Sequence, residues 1–361
     1  MLTAILDVLL INREKILSKL DLLLKRQKDL LEDIGWKSFS SGSVHICPIA
    51  AIDGSMNFKQ YKGFMIYAVD SEAVIVEDDK MSVFKQLGDV DVLVPFWLPE
   101  ERIKLYMSIL EIKNAMHVLS SKNNALILLD GTLSGLIIRP IKYIYSETEV
   151  TRVIRKRYLD ILIDEIENHN DGIISKNYTQ EIFDEFKEKY GVSEAQASCF
   201  YLEYLEYLVS LRYLFSRYSE RIIGIAKNSE DRSIFKHTLS DIAYLDMSIK
   251  NPGYLVSREN VIVRNIKRSL PVFWDFFRDL EFTVIYARFS EGGPMLKIEI
   301  PYALRSISID DILKTLQHIC IDGYPYPLTK AHRDVKITNK DMETITKMLG
   351  IYWAKTGREM L

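Results

Sequence analysis

The stretch from Glu147 to about Tyr218 contains no proline, is dense in charge, tyrosine and leucine, and repeats apolar residues at helical spacing over 150–166, 180–190 and 195–218. Segments of a different kind flank it. Pro48–Met56, Tyr61–Val69 and Ala73–Val76 read as three short β-rich runs in a meander, and Ala125–Leu129 reads as a buried strand ending in Asp130. Beyond the block, β character returns at Ile222–Ala226, Phe282–Phe289 and Met295–Ile300. The chain is therefore α/β, a mixed sheet flanked by helices with a helical insertion over about 147–220. A helix opened by Pro99, with the stripe Ile103, Met107, Leu110 and Val118, separates the meander from the Asp130 strand. Helices near Ile309–His318 and Lys340–Leu349 close the chain, and no repeat of 20 to 50 residues occurs.

Apolar residues from Leu2 to about Ile34 recur at helical spacing with no Gly or Pro before Gly35, which predicts a long amphipathic helix in a segment 1–37. Either it packs on its own domain, or it is a docking or dimerisation helix. Ser38–Ser43 reads as a linker to a domain spanning 44–361. Arg13, Glu14, Lys15, Lys19 and Asp21 interrupt the leucine-rich start, so it is no membrane anchor or signal peptide.

Across 361 residues, 47 Lys+Arg oppose 50 Asp+Glu and 48% are hydrophobic, which excludes disordered and collagen-like chains. A net charge of −3 excludes a polycationic coat but not local nucleic-acid contacts. Cys47, Cys199 and Cys320 stand far apart, which disfavours a disulfide framework or zinc ribbon and fits a reducing cytoplasm.

Two segments echo one another: Ala51-Ile52-Asp53-Gly54-Ser55 and Leu128-Leu129-Asp130-Gly131-Thr132. Singly, each is a common turn signal. Together, on strands of one buried sheet, they can set two carboxylates side by side, which repel unless a divalent cation neutralises them. Mg²⁺ or Mn²⁺ calls for more oxygen ligands than two carboxylates supply. Glu111 is the candidate third acid, at the edge of its helix's buried stripe, or else an ordinary solvated acid. His332 follows the proline-rich turn Gly323–Leu328, which is stiff enough to aim a ligand or a general acid or base. Lys227, just past an apolar run, is a candidate phosphate contact or a surface lysine. Arg152, Arg155, Lys156 and Arg157, and separately Arg264, Lys267 and Arg268, form basic clusters able to track a phosphate backbone, unless they are solvated helix faces. There is no GxxxxGK[ST] loop, GxSxG elbow or GxGxxG fingerprint.

The order of Asp53-Gly54-Ser55, Glu111, Leu129-Asp130-Gly131, Lys227 and Ala331-His332 resembles the NurA nucleases of archaea, over about residues 48–340. Met56 stands where that family commonly has an arginine, a departure that bears on a phosphate contact and not on the metal site. The resemblance implies an RNase H-like fold, a ring-shaped homodimer, and Mn²⁺-dependent 5′-to-3′ exonuclease and single-strand endonuclease activity on DNA, with Mg²⁺ as a possible substitute. It also implies partnership with the hexameric ATPase HerA in resecting DNA ends for repair. Carried over, Asp53, Glu111, Asp130 and His332 are metal-binding and catalytic positions, and Lys227 supports them. Two cations about 4 Å apart would suit an in-line displacement at phosphorus. The alternatives are a non-catalytic DNA clamp, whose Asp-Gly motifs are only turns, and a nuclease of the same design acting on RNA.

Overall fold

Successive side chains of a strand point to opposite faces of its sheet, and in residues 49–52 both faces are buried: Ala50 and Ile52 enter one core, Ile49 and Ala51 another. The computed structural model describes residues 3–25, 34–40, 47–138, 148–259, 270–301 and 308–351. Within them, this segment opens β1 (Ile49–Gln60), a central strand of an eight-stranded mixed sheet. β2 (Met65–Glu77) pairs antiparallel with β1, and β3 (Lys80–Val92) pairs antiparallel with β2. On the other side β4 (Leu126–Asp130) runs parallel to β1, and β5 (Ile222–Ala226) parallel to β4. β6 (Gly253–Glu259), β7 (Phe282–Arg288) and β8 (Leu296–Pro301) complete the order β3-β2-β1-β4-β5-β8-β7-β6, with β8 antiparallel to β5. The expected mixed sheet with flanking helices is present.

The meander differs from expectation in one respect. Tyr61–Val69 and Ala73–Val76 are not two strands: Met65–Glu77 is continuous, and the third strand is Lys80–Val92. Asp70 and Glu72 interrupt the apolar pattern of β2 without ending it, while β3 is an edge strand whose largely exposed residues carry little apolar signal.

The helices are α1 (Thr3–Lys25), α2 (Pro99–Ser121), α3 (Leu133–Ile138), α4 (Glu149–Glu167), α5 (Lys176–Tyr190), α6 (Val192–Tyr218), α7 (Asp241–Ser248), α8 (Trp274–Arg278), α9 (Ile309–His318), α10 (Tyr326–Asp334) and α11 (Asn339–Met348). One core joins β1, β2 and β4 to α2 and to the insertion helices α4 to α6; the other joins the opposite face to α9 and α10. Pro99 opens α2 where its missing N–H costs nothing, and Glu100 and Glu101 favour the positive end of the helix dipole. Buried ion pairs fasten α2 to α6. Arg102 Nη2 lies 2.6 Å from Glu203 Oε1, and Lys113 Nζ lies 2.9 Å from Glu206 Oε1. Glu206 also accepts hydrogen bonds from the Ile174 and Ser175 N–H groups, so no carboxylate oxygen is left bare.

α1 exposes Ile5, Leu9, Leu10, Ile11, Leu17, Leu20 and Leu22 along its length. It is described as far as Lys25; residues 26–33, over which the expected helix would continue towards Ile34, lie outside the described residues. Just before the expected linker, Lys37 exchanges two backbone hydrogen bonds with Tyr254 of β6, and within it Phe39 stacks on Tyr254 and Phe289; residues 41–43 lie outside the described residues. Among the described residues, no helix is long and apolar enough to cross a membrane.

Candidate metal centre

Three parallel strands bring residues to one level of the sheet: β4 ends there at Asp130 and β5 at Ala226, while β1 continues past Asp53 to Gln60. The β1–β4 register pairs Ile52 with Leu129, so Asp53 and Asp130 follow side by side, and β5 releases Lys227 immediately after Ala226. Strand alternation puts Asp53 on the face of Ala51 and Asp130 on the face of Leu128, which is the face covered by α10. From α10 His332 reaches over, and its Nδ1 lies 2.7 Å from Asp53 Oδ2. Asp53, Asp130 and His332 each offer one ligand atom within 4.8 Å of the other two. Asp53 is 7% exposed, whereas Asp130 and His332 face solvent, so the cluster is anchored below and open above.

Each motif residue has a distinct local task. Asp53 Oδ1 accepts the Gly54 N–H at 2.9 Å, which orients the carboxylate. Gly54 points to the opposite face, where a Cβ would come within 2.9 Å of Glu111 Oε1, so its bare backbone is the opening through which Glu111 approaches β1 from α2. Ser55 Oγ accepts the Ile337 N–H at 3.0 Å and ties the connection after α10 to β1. In the second motif Gly131 takes a positive φ of 107° and donates its N–H to Ile225 O, while Thr132 Oγ1 accepts the Gly135 N–H and caps α3.

Burial pushes the Asp53 carboxyl above the usual carboxylate range; the His332 hydrogen bond opposes this and the charge of Asp130 adds to it. Two further carboxylates share that face. Asp70, opposite Ser55 on β2, accepts the Ser55 N–H at 3.1 Å and is pushed up to about 7, chiefly by burial. Glu72, directly opposite Asp53, is buried; Gln86 donates to its Oε2, while Oε1 has no hydrogen-bond partner among the described residues. Tyr324 is buried near both aspartates, and its phenol is raised first by burial and then by Asp130 and Asp53. Lys227 Nζ lies 3.8 Å from the centroid of the Tyr324 ring, a cation–π contact that holds the ammonium beside the site.

The sequence-predicted residues thus divide. Asp53, Asp130 and His332 converge, Lys227 stands beside them, and Glu111 adjoins Gly54 from the other face without joining the three converging atoms. Arg152 and Lys156 lie on the exposed side of α4, whereas Arg155 donates to Pro271 O and Arg157 is paired with Glu185. Arg264, Lys267 and Arg268 lie outside the described residues. His332 is not at the end of a stiff loop: the prolines start a helix, with Pro325 at its cap and Pro327 in its first turn, and His332 projects from that helix. Asp70, Glu72 and Tyr324 had one signal in the sequence, two acids within the apolar run of β2 and an aromatic eight residues before His332.

Two carboxylates and an imidazole form an oxygen/nitrogen donor set without thiolates, which suits a hard or borderline divalent ion such as Mn²⁺. Comparison with known proteins agrees with the fold. The protein named DNA double-strand break repair nuclease NurA in Sulfurisphaera tokodaii is 28% identical over 354 residues, 97% of this chain and 96% of that protein. Its counterpart in Saccharolobus solfataricus is 27% identical over 308 residues, 84% of this chain and 80% of that protein. The crystal structure of the NurA nuclease from Sulfolobus solfataricus superposes with a TM-score of 0.72 at 23% identity, covering 97% of each chain. A NurA crystal structure bound to dAMP and manganese gives 0.73 at 20% identity, covering 95% of this chain and 97% of that one. The model of the NurA domain matches residues 47–337, and the chain therefore belongs to the NurA domain family.

Proposed function

We propose that this chain is a divalent-metal-dependent DNA nuclease that processes DNA ends for double-strand break repair. The observation that carries the reading is the convergence of Asp53, Asp130 and His332, from two strands and a helix far apart in sequence, within 4.8 Å. These three would hold a Mn²⁺ or Mg²⁺ ion, with Glu111 as a further acid. When bound, the ion supplies positive charge against the developing charge at phosphorus and makes water more acidic. The protein supplies position. Gly54 and His332 fix the Asp53 carboxylate, the open side of the cluster admits a polymer, and the Lys227 ammonium stands ready to meet a phosphate oxygen. His332 Nδ1 and Asp53 Oδ2 are hydrogen-bonded to one another, so a bound ion would take the place of that contact at both atoms.

The finer reading is 5′-to-3′ exonuclease and single-strand endonuclease activity on DNA, by a homodimer working in the cytoplasm with a HerA-type hexameric ATPase. Its support is family membership, the absence of a nucleotide-binding loop, and an N-terminal helix whose apolar residues are exposed. The first five strands, in the order 3-2-1-4-5 with only β2 antiparallel to its neighbours on both sides, agree with an RNase H-like core. Arg152 and Lys156 on α4, and Arg264 and Lys267, are proposed as phosphate-backbone contacts. The test is cleavage of labelled single- and double-stranded DNA with and without Mn²⁺. Wild type should cleave only with the metal, and Asp53→Ala should not cleave while still unfolding cooperatively. Metal-dependent cleavage by Asp53→Ala would overturn the assignment.

A further inference from the structure

Behind the Asp130 turn lies a charged group that no step above uses. Glu299 on β8 is fully buried and accepts two hydrogen bonds from one residue, the Ser134 N–H at 2.8 Å and the Ser134 Oγ–H at 2.8 Å. Lys297, 2% exposed, places its ammonium 3.1 Å from Glu299 Oε1 and 3.0 Å from Asp231 Oδ2. The pairing of β5 with β8 sets Gly224 opposite Glu299 and Ala226 opposite Lys297. Gly224 has room for nothing larger: a Cβ would meet Gly131 O at 2.8 Å and the Leu133 N at 2.9 Å. The turn that leaves Asp130 therefore lies directly on Gly224, pinned at one end by Gly131 N–H to Ile225 O and at the other by Ser134 to Glu299. The same ammonium holds Asp231, in the connection that leaves Lys227.

We infer that Glu299, backed by Lys297, is a positioning residue that fixes the Asp130 carboxylate for cation binding and couples the Asp130 turn to the segment following Lys227. This rests on the metal-site reading above. An apolar trio of similar volume would hold β8 in the sheet at no greater cost, because desolvating three charges offsets most of their attraction. A carboxylate does what an apolar residue cannot: it accepts two converging donors from the first turn of α3, and the ammonium beside it holds it in place. Asp130 itself is exposed, so the turn that carries it helps to set where its carboxylate stands.

The test measures Mn²⁺ affinity by calorimetry, and backbone amide exchange over residues 130–136 in the metal-free protein. Glu299→Gln removes the charge at constant volume, and Ser134→Ala removes one donor with little risk to folding. Loss of a group that orients a metal ligand costs roughly 10–100-fold in affinity. We expect Glu299→Gln to bind Mn²⁺ about tenfold more weakly and Ser134→Ala less severely so, both with faster exchange over 130–136 and with cleavage restored by excess Mn²⁺. Asp130→Asn is the control. If it binds Mn²⁺ as wild type does, the metal-site reading fails. If it loses binding while Ser134→Ala and Glu299→Gln keep wild-type affinity and exchange, only the positioning role is overturned. Should Glu299→Gln fail to fold, Ser134→Ala decides alone.

Discussion

Gly54→Ala adds one methyl group where β1 and α2 leave no room for it. Its Cβ would lie 2.9 Å from each of three atoms: the Asp70 carbonyl oxygen, Met107 Cγ and Glu111 Oε1. The first belongs to β2, which is paired on both sides and cannot recede cheaply; the other two belong to side chains of α2, Glu111 Oε1 at the end of its chain and Met107 Cγ partway along. Strain is therefore relieved by driving Glu111 and Met107 away from β1. Overpacking of this kind costs about 1–3 kcal/mol, and since roughly 2–4 °C of Tm accompany each kcal/mol in domains of 150–250 residues, and less in longer chains, the loss is a few degrees. The effect on cleavage is larger, because a displacement of about 1 Å of a group at the site costs on the order of 100-fold. Gly63→Ala is the matched control, since a Cβ there meets nothing within 4 Å. The assay compares kcat at saturating Mn²⁺ with Tm by calorimetry for both variants. A Gly54→Ala protein with wild-type kcat would refute the idea that Glu111 acts through the gap above Gly54, whatever its Tm.

His332→Ala should lower cleavage and narrow the difference between Mn²⁺ and Mg²⁺, since imidazole ligates Mn²⁺ more readily than it ligates Mg²⁺; unchanged activity and metal preference would return His332 to an ordinary surface role. Asp70 is pushed up to about 7 by burial, so its contribution to stability is full below the unfolded pKa near 3.8 and is lost as pH rises through about 7. In EDTA, Asp70→Asn should lose less Tm between pH 5 and pH 8 than wild type, and parallel curves would exclude the effect. Deleting residues 1–25 should leave Tm nearly unchanged, because α1 exposes its apolar residues, but should weaken self-association or ATPase binding; a truncated chain that keeps both would show that α1 does neither.

Asp53 and Asp130 are readable in the sequence because an apolar run ending in Asp-Gly is a local pattern, and their adjacency follows once both runs are strands of one sheet. The approach of Glu111 is not readable, because it depends on an atom missing from another strand at Gly54. His332 is identifiable by its neighbourhood, but the same prolines that read as a rigid turn are equally good helix starters, and only the packing of α10 on β1 decides between the two. Residues 70 and 72 look like a break between two strands since acids are rare within buried strands; they persist there because they belong to the site's own charged face. β3 is hidden for the opposite reason, being an edge strand with little to bury.

The ion pairs between α2 and α6 act as a rotational key. Arg102 and Lys113 stand about three turns apart on α2, so each finds its carboxylate only at one angular setting of that helix. Turning α2 by a single residue would swing every side chain by about 100° and strand a buried charge, at a cost of roughly 3–5 kcal/mol for each broken pair. Glu111 lies between the two keyed positions, so its heading toward Gly54 is set by helix α6, some ninety residues further along the chain. A shortened relative that dispensed with the insertion would have to replace Arg102 and Lys113 as well, or lose the angular setting of its acid.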